Sequence, residues 1–293
     1  MTILNIGSIN WDRIYYVPRF PAPGETLSAS RAEIGLGGKG LNHSVAIHRC
    51  GGRVTHLGAI CTDDREMRAR ISAFGLDTGG IAEVDGVQTG SALILVDENG
   101  ENQIVIDPGA NRKIPVEQMI SAIDDLVPGE DWLLMQNETN GLAEATAHAK
   151  SRNVRVALAA APFEAGSIVP VLENLDLLAV NAVEYEQLCD EIGGASALPA
   201  VLSLFVTRGS AGAELRAQGT TTEIAAPRVE PVDTTGAGDT AFGALLARLD
   251  MGEAEQQALN FAVAAAAIQV TRPGAAAAIP DEAEVLKFLK ERQ

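Results

Sequence analysis

The sequence predicts an α/β fold, with a mostly parallel sheet, helices on both of its faces and a small accessory β-sheet. Three observations carry this. Short β-like apolar runs alternate with helix-like segments through the first two thirds of the chain, the pattern of parallel strands joined by crossover helices. Two stretches, about 12–36 and 88–107, break that rhythm with β-like runs and no helix between them. The last third is helical.

Taken in order, ILNI at 3–6 is the first strand. GLNHSVAIHRC (40–50) is a helix that Gly51-Gly52 stops. VTHLGAI (54–60) is a strand, and a polar helix follows over about 63–74. The runs at 91–96 and 102–106 form a hairpin with Asn99-Gly100 at its turn. WLLM (132–135), a helix near 142–151, VRVAL (154–158), LDLLAV (175–180) and a helix from about 182 continue the alternation. LFVT (204–207) and AELRA (213–217) close it. One helix starts within Gly236 to Asp239 and runs to about Asp250, and a second covers roughly 254–271. Pro280-Asp281 opens a third, with Asp281 and Glu284 at capping-box spacing. No repeat, low-complexity tract or long linker divides the chain, so residues 1–293 are expected to form a single domain.

Composition narrows the functional classes. Forty-six per cent hydrophobic and 21% charged residues are enough for a core and exclude general disorder. Thirty-nine acids against 22 bases give a net charge of −17, which argues against a nucleic-acid partner. An anionic substrate then needs a local positive site. No apolar stretch is long enough to span a bilayer, and the start MTILNIGSIN lacks the basic and apolar regions of a signal peptide. Cys50, Cys61 and Cys189 form no CxxC pair, so reduced thiols and a cytoplasmic location are expected. His43, His48, His56 and His148 have no zinc-site spacing.

Two glycine-rich segments carry the chemistry. In Ile34-Gly35-Leu36-Gly37-Gly38-Lys39-Gly40-Leu41-Asn42 the glycines let backbone approach a ligand. Lys39 adds charge, Asn42 adds a two-way amide, and the following helix points its N-terminal amides at the same spot. This is not a Walker A loop, because Gly40 and not Ser or Thr follows Lys39. In Val232-Asp233-Thr234-Thr235-Gly236-Ala237-Gly238-Asp239-Thr240 a loose dinucleotide fingerprint is formally present, but it sits late, follows a polar segment and precedes helices. The alternative is an anion hole: the amides of 236–239 at a helix start hold charge on a transferring phosphoryl group, and Asp239 accepts a hydroxyl proton.

Together, GGKGLNHSVAIHRCGG and DTTGAGDTAFGALLA resemble the two signatures of the PfkB, or ribokinase-like, carbohydrate kinase family, in the right order and nearest to its ribokinase branch. The resemblance implies a three-layer sandwich with a small β lid (roughly 10–36 and 88–107). It implies transfer of the γ-phosphoryl of MgATP to a sugar hydroxymethyl group, with ATP and Mg²⁺ as cofactors. By that resemblance Asp239 is the base, and Gly236, Ala237 and Gly238 form the anion hole with it. Asn10, Asp12, Gly38, Lys39, Asn42 and Glu138 match sugar-contacting positions. Asn181 and Glu184 match an NxxE motif associated with magnesium and phosphate, Glu184 acting through water. Thr207, Gly209 and Gly212 match a nucleotide loop, which Gly238 adjoins.

The chain also departs from the family pattern. Ala278 stands where a serine hydroxyl serves a potassium site, so Asp233 and Thr235 are what remains for K⁺. The stretch between Cys189 and Leu204 is short, and a helix there is reduced. Trp11 adds bulk beside the sugar loop and keeps a base-stacking role open. Ribose or a similar pentose is the expected acceptor. A ribonucleoside and a fructose-type ketohexose are the alternatives. A non-catalytic sugar-binding protein and a nicotinamide dehydrogenase are readings from other classes. A lid sheet with exposed edges and apolar faces predicts a homodimer through the lid.

Overall fold

The computed structural model describes residues 1–292. The chain begins with β1 (Ile3–Ile6), β2 (Asn10–Tyr16), β3 (Arg31–Gly37), α1 (Lys39–Arg49), β4 (Val54–Cys61), α2 (Arg65–Ala73), β5 (Ile81–Val84), β6 (Gly90–Val96) and β7 (Asn102–Asp107). It continues through α3 (Val116–Asp124), β8 (Trp132–Gln136), α4 (Leu142–Ser151), β9 (Arg155–Ala159), α5 (Ala165–Ile168), β10 (Leu177–Asn181) and α6 (Ala182–Ile192). Then come β11 (Ser203–Thr207), β12 (Ala213–Ala217), β13 (Thr220–Ile224), α7 (Ala237–Asp250), α8 (Glu255–Gln269) and α9 (Glu282–Lys290).

Nine strands form the main sheet in the order β13-β12-β11-β10-β9-β8-β1-β4-β5. From β11 to β5 neighbouring strands are parallel, and only the edge hairpin β12–β13 introduces antiparallel pairs. The chain builds outward from β1 in one direction through β4 and β5, and in the other through β8 to β11. The direction reverses between β1 and β8, and ligands of open α/β sheets bind beyond the strand ends at such a point.

Side chains alternate across this sheet as the pleat demands. Ile3, Leu134, Ala157 and Phe205 face α1, α7 and α8, whereas Leu4, Leu133, Val156 and Leu204 face α3, α4 and α6. The first layer is made of small residues: a Cβ on Gly243 of α7 would come within 2.6 Å of Ala46 Cβ on α1. That close approach holds the starts of α1 and α7, the two glycine-rich segments, against one another.

The second sheet has the order β3-β2-β6-β7. It is mixed, with β2 and β6 parallel and both outer pairs antiparallel. It springs from the main sheet at Gly7–Ile9, directly after β1.

Sequence patterning passes over β13, β5, α3 and the single-turn α5. Strand β13 pairs with β12 across Gln218-Gly219, whose φ values of 49° and 77° make a tight turn without the usual Asn-Gly signal. Strand β5 has only four residues, and α3 follows Pro115 with no side-chain cap. Between Cys189 and Leu204 the chain carries the end of α6 and one 3₁₀ turn at Ala195–Ala197, in line with the reduced helix expected there.

Candidate active site

The site is assembled where β1 and β8 end and α1 and α7 begin. After β1, the turn through Ser8 allows almost no side-chain volume. A Cβ on Gly40 would lie 2.2 Å from the Ser8 amide, and one on Gly37 would lie 2.1 Å from Asp12 Oδ2. Strand alternation then sends Asn10 and Asp12 to one face of β2 and Trp11 to the other. Both polar residues are buried.

Helix α1 has no acid in its first turn and no side-chain cap of its own. Glu138, just beyond β8, supplies one: its Oε2 accepts the Lys39 amide at 3.0 Å and the Ser8 hydroxyl. Ser8 Oγ in turn accepts the Gly40 amide at 3.1 Å. A carboxylate at a helix N-terminus is favoured by the exposed amides and the dipole, so Glu138 both holds the loop and faces the site.

Gly236, with φ 74°, is the left-handed residue from which α7 starts. The Ala237 amide donates to the Thr234 carbonyl at 3.2 Å, and the Thr240 amide to the Gly236 carbonyl at 2.9 Å. Among the described residues, the amides of Gly238 and Asp239 meet no protein acceptor. Ala237 thus shapes this turn while its own N–H is engaged within the loop. Asp239 Oδ2 accepts from Asn42 Nδ2 at 2.8 Å.

Burial and charge act together on these groups. Burial first, then Glu138 and Asp239, push the Asp12 carboxyl up to about 7, with Lys39 opposing them. Burial also raises Glu138. Lys39 is held above its ordinary range chiefly by Asp239, with Glu138, Glu184 and Asp12 adding to it. Lys39 is the cation of this acidic pocket. His43 is lowered by burial and engages the Lys39 carbonyl through Nδ1 at 2.6 Å, so it supports the helix start as a neutral ring.

Two adjoining cavities meet at Thr207, Thr234, Ala237 and Gly238. One of about 210 Å³ is bordered by Lys39, Asn181, Glu184, Gly236, Gly238 and Asp239. A larger one of about 630 Å³ lies between the β12–β13 edge and the helices, with Thr207, Gly212, Arg228, Val229 and Val263 on its walls. Gly212 has φ 104°, and a Cβ there would sit 2.0 Å from the Ile224 carbonyl oxygen. Gly209 lines the same cavity from a 3₁₀ turn. The larger cavity is lined mostly by apolar groups, and the smaller one by Lys39 and the backbone at the start of α7.

Asn181 and Glu184 form a reciprocal capping box on α6, with the Glu184 amide 2.9 Å from Asn181 Oδ1 and the Asn181 amide 2.7 Å from Glu184 Oε2. Glu184 still borders the small cavity, as an acid holding Mg²⁺ through water must. Asp233 accepts the Thr235 amide and the Gly274 amide, each at 2.9 Å, and the Thr235 carbonyl accepts from Gln269 Nε2 at 2.8 Å. These residues staple the loop before α7 to the loop after α8. Ala278 is buried in a 3₁₀ turn and brings no hydroxyl.

Trp11 lies outside this constellation. Its Nε1 donates to Asp64 Oδ2 at 2.7 Å and the Arg70 guanidinium covers its ring, so it packs behind the substrate strand rather than over a ligand. The sequence reading left two contributors without a role. Ser8 sits two residues before Asn10, and Asn111 lies in a 3₁₀ turn (Gly109–Arg112) with no chemical motif to mark it.

The family profile described as pfkB family carbohydrate kinase matches residues 2–282. The chain belongs to the pfkB family of carbohydrate kinases. Within that family it is 34% identical to a ribokinase of Haemophilus influenzae over 303 aligned residues, covering 99% of this chain and 98% of the relative. Among solved structures, ribokinase from Thermotoga maritima superposes with a TM-score of 0.86 at 32% identity, covering 99% and 98% of the two chains. Arabidopsis thaliana ribokinase, solved with ribose and ATP, gives a TM-score of 0.83 at 26% identity, covering 99% and 98%. As a pfkB member the chain is an α/β carbohydrate kinase, and the dehydrogenase and non-catalytic readings fall away.

Proposed function

We propose that the chain phosphorylates ribose, or a pentose close to it, at its hydroxymethyl group using ATP. The observation that carries this is the placing of Asp239. It borders the smaller cavity beside Lys39 and Gly238, accepts from Asn42, and bears electrostatically on the buried Asp12, while the Gly238 amide next to it meets no acceptor among the described residues. The likeness to a ribokinase solved with ribose and ATP supports the same substrates.

In this reading the hydroxymethyl oxygen approaches Asp239, which takes its proton as the oxygen attacks the γ-phosphorus. The Gly238 and Asp239 amides meet the charge that develops on the transferring group. Lys39 balances Asp239, Glu138 and Asp12 around the reaction, at the sugar end of the site. Asn42 fixes the Asp239 carboxylate so that its free oxygen faces the acceptor. Mg²⁺, when bound, would neutralise nucleotide phosphate charge, and Glu184 and Asn181 would hold it through water. A monovalent cation would have to share Asp233 and Thr235 with the amides they already bind. The four-stranded sheet acts as a lid on a single kinase domain, excluding water from the transfer.

Ile34, Leu93 and Val105, with Arg13 between the first two, form an exposed row on the lid face opposite Asp12 and are the surface through which two copies would pair. The three cysteines are free, which suits a cytoplasmic enzyme. No helix among the described residues is long and apolar enough to cross a membrane.

The test is ADP release from MgATP with ribose, deoxyribose, fructose, adenosine, uridine and inosine, each with and without K⁺. Ribose-dependent turnover well above the others is expected. Turnover with a nucleoside alone overturns the acceptor, and turnover with none of them overturns the reading.

A further inference from the structure

We infer that Asn111 is a positioning residue that sets which end of the Asn10 amide faces the substrate. Asn111 is fully buried in the 3₁₀ turn that follows the last lid strand, β7. Its Oδ1 accepts the Ile9 amide at 2.9 Å, so the orientation of its own amide is fixed by a backbone donor. The Nδ2 group must then point the other way. It donates to the Ile9 carbonyl at 3.3 Å and to Asn10 Oδ1 at 2.7 Å.

The consequence passes to Asn10. With Oδ1 occupied by Asn111, the oxygen of Asn10 is turned away and its NH₂ is left for the site. Among the described residues that NH₂ has no protein acceptor. The packing enforces this geometry, since a Cβ on Gly90 would lie 2.2 Å from Asn111 Nδ2 and 2.3 Å from Asn10 Oδ1. Asn111 thus ties three points together at the root of the lid: the Ile9–Asn10 peptide, the start of β6 and the end of β7.

On the sugar-kinase reading, on which this inference rests, the edge of the pocket at β2 offers a hydrogen-bond donor from Asn10 next to the carboxyl of Asp12. A hydroxyl seated there accepts from Asn10 and donates to Asp12. A ligand with a donor-only group at that position, such as an ammonium, meets Asn10 N–H against N–H.

The test reverses the amide without changing its size. Asn111→Asp keeps the acceptor for the Ile9 amide and replaces the donor by a carboxylate oxygen, so Asn10 turns over to donate to it and shows its oxygen to the sugar. The expected result is a rise in KM for ribose of about tenfold or more, with KM for MgATP near the parent value and the melting temperature lowered, since the buried carboxylate loses the bond to the Ile9 carbonyl. As pH falls, protonation of the introduced carboxylate restores a donor, and the ratio of variant to parent ribose KM shrinks. Asn10→Asp, with Asn111 intact, gives the same selective rise because its second oxygen faces the sugar, and it serves if the first variant does not fold. Ribose KM unchanged in either folded variant, or equal loss for ribose and MgATP, overturns the assignment.

A measurement free of substrate separates this from the function itself. In the ligand-free parent, NMR of side-chain amides is expected to show the Asn111 NH₂, with two acceptors, more strongly protected from solvent exchange than the Asn10 NH₂, which has none. That pattern with no ribose turnover sinks the sugar reading and keeps the orientation, while the opposite pattern sinks the orientation whatever the enzyme phosphorylates.

Discussion

Asn42 Nδ2 donates to Asp239 Oδ2 across 2.8 Å, joining two glycine-rich segments that lie 197 residues apart in sequence. The contact connects the first turn of α1 to the first turn of α7. The Asn42 amide has one end on the proposed base, and its Oδ1 is buried with no protein partner among the described residues. Leaving that acceptor unpaired in the interior carries a desolvation cost.

Replacing Asp239 by Asn removes the proton acceptor and keeps the shape. The expected outcome is a loss of about 10²–10⁴ in kcat, with binding of sugar and nucleotide largely retained. Steady-state kinetics beside calorimetric titration of each ligand checks it. Turnover near the parent rate removes Asp239 from the base role.

Asp12 gives a pH dependence whose sign is fixed. Its carboxyl is raised from 3.8 to about 7 in the folded chain. Between those values the native state holds a proton that the unfolded chain has lost, so this group lowers stability as pH rises through that window. Asp12→Asn is therefore expected to melt above the parent at pH 8 and close to it at pH 4, while losing affinity for sugar. Denaturant melts across that range decide it, and a constant offset at all pH values would contradict it.

Two glycines separate the two ends of the site. Gly37→Ala drives a methyl into the Asp12 carboxylate and should raise KM for the sugar with little change for ATP. Gly212→Ala meets a backbone carbonyl at a positive φ and should lower stability by about 1–3 kcal/mol and weaken nucleotide use. Gly35→Ala, with nothing within 4 Å of the new methyl, is the control on the same strand as Gly37.

Lys39→Ala leaves Asp12, Glu138 and Asp239 without their shared counter-charge. Sugar KM is expected to rise more than ATP affinity falls. Equal sugar kinetics in variant and parent would remove the lysine from that end of the pocket.

Leu93→Glu puts a charge in the exposed row of the lid beside Ile34 and Val105. Light scattering at micromolar concentration should find the parent as a dimer and the variant as a monomer. A monomeric parent ends the proposal of pairing through this face.

Much of the fold was legible because strand and helix signals agreed with position. ILNI, WLLM and LFVT are almost wholly buried on both faces and read as near-continuous apolar runs, as parallel strands do. Strand β13 (TTTEI) carries no such run, since it is an exposed edge strand held by one neighbour. In the site, residues inside glycine-rich segments announced themselves, because close backbone approach leaves a compositional trace. Ser8 and Asn111 did not. Each works by hydrogen bonds to backbone and to a neighbouring side chain, and Asn111 meets partners 101 and 102 residues away in sequence, which no local pattern encodes.

The tie between Trp11 and Asp64 gives the protein an optical handle. The chain has two tryptophans. Trp132 is buried at the start of β8, under Arg155, at the end of the sheet away from Glu138. Trp11 lies between Asn10 and Asp12 on the strand they share, with its indole N–H on a carboxylate. Any movement of that strand on ligand capture changes the polarity around one indole and leaves the other alone, so intrinsic fluorescence would report events at the lid root without an attached dye.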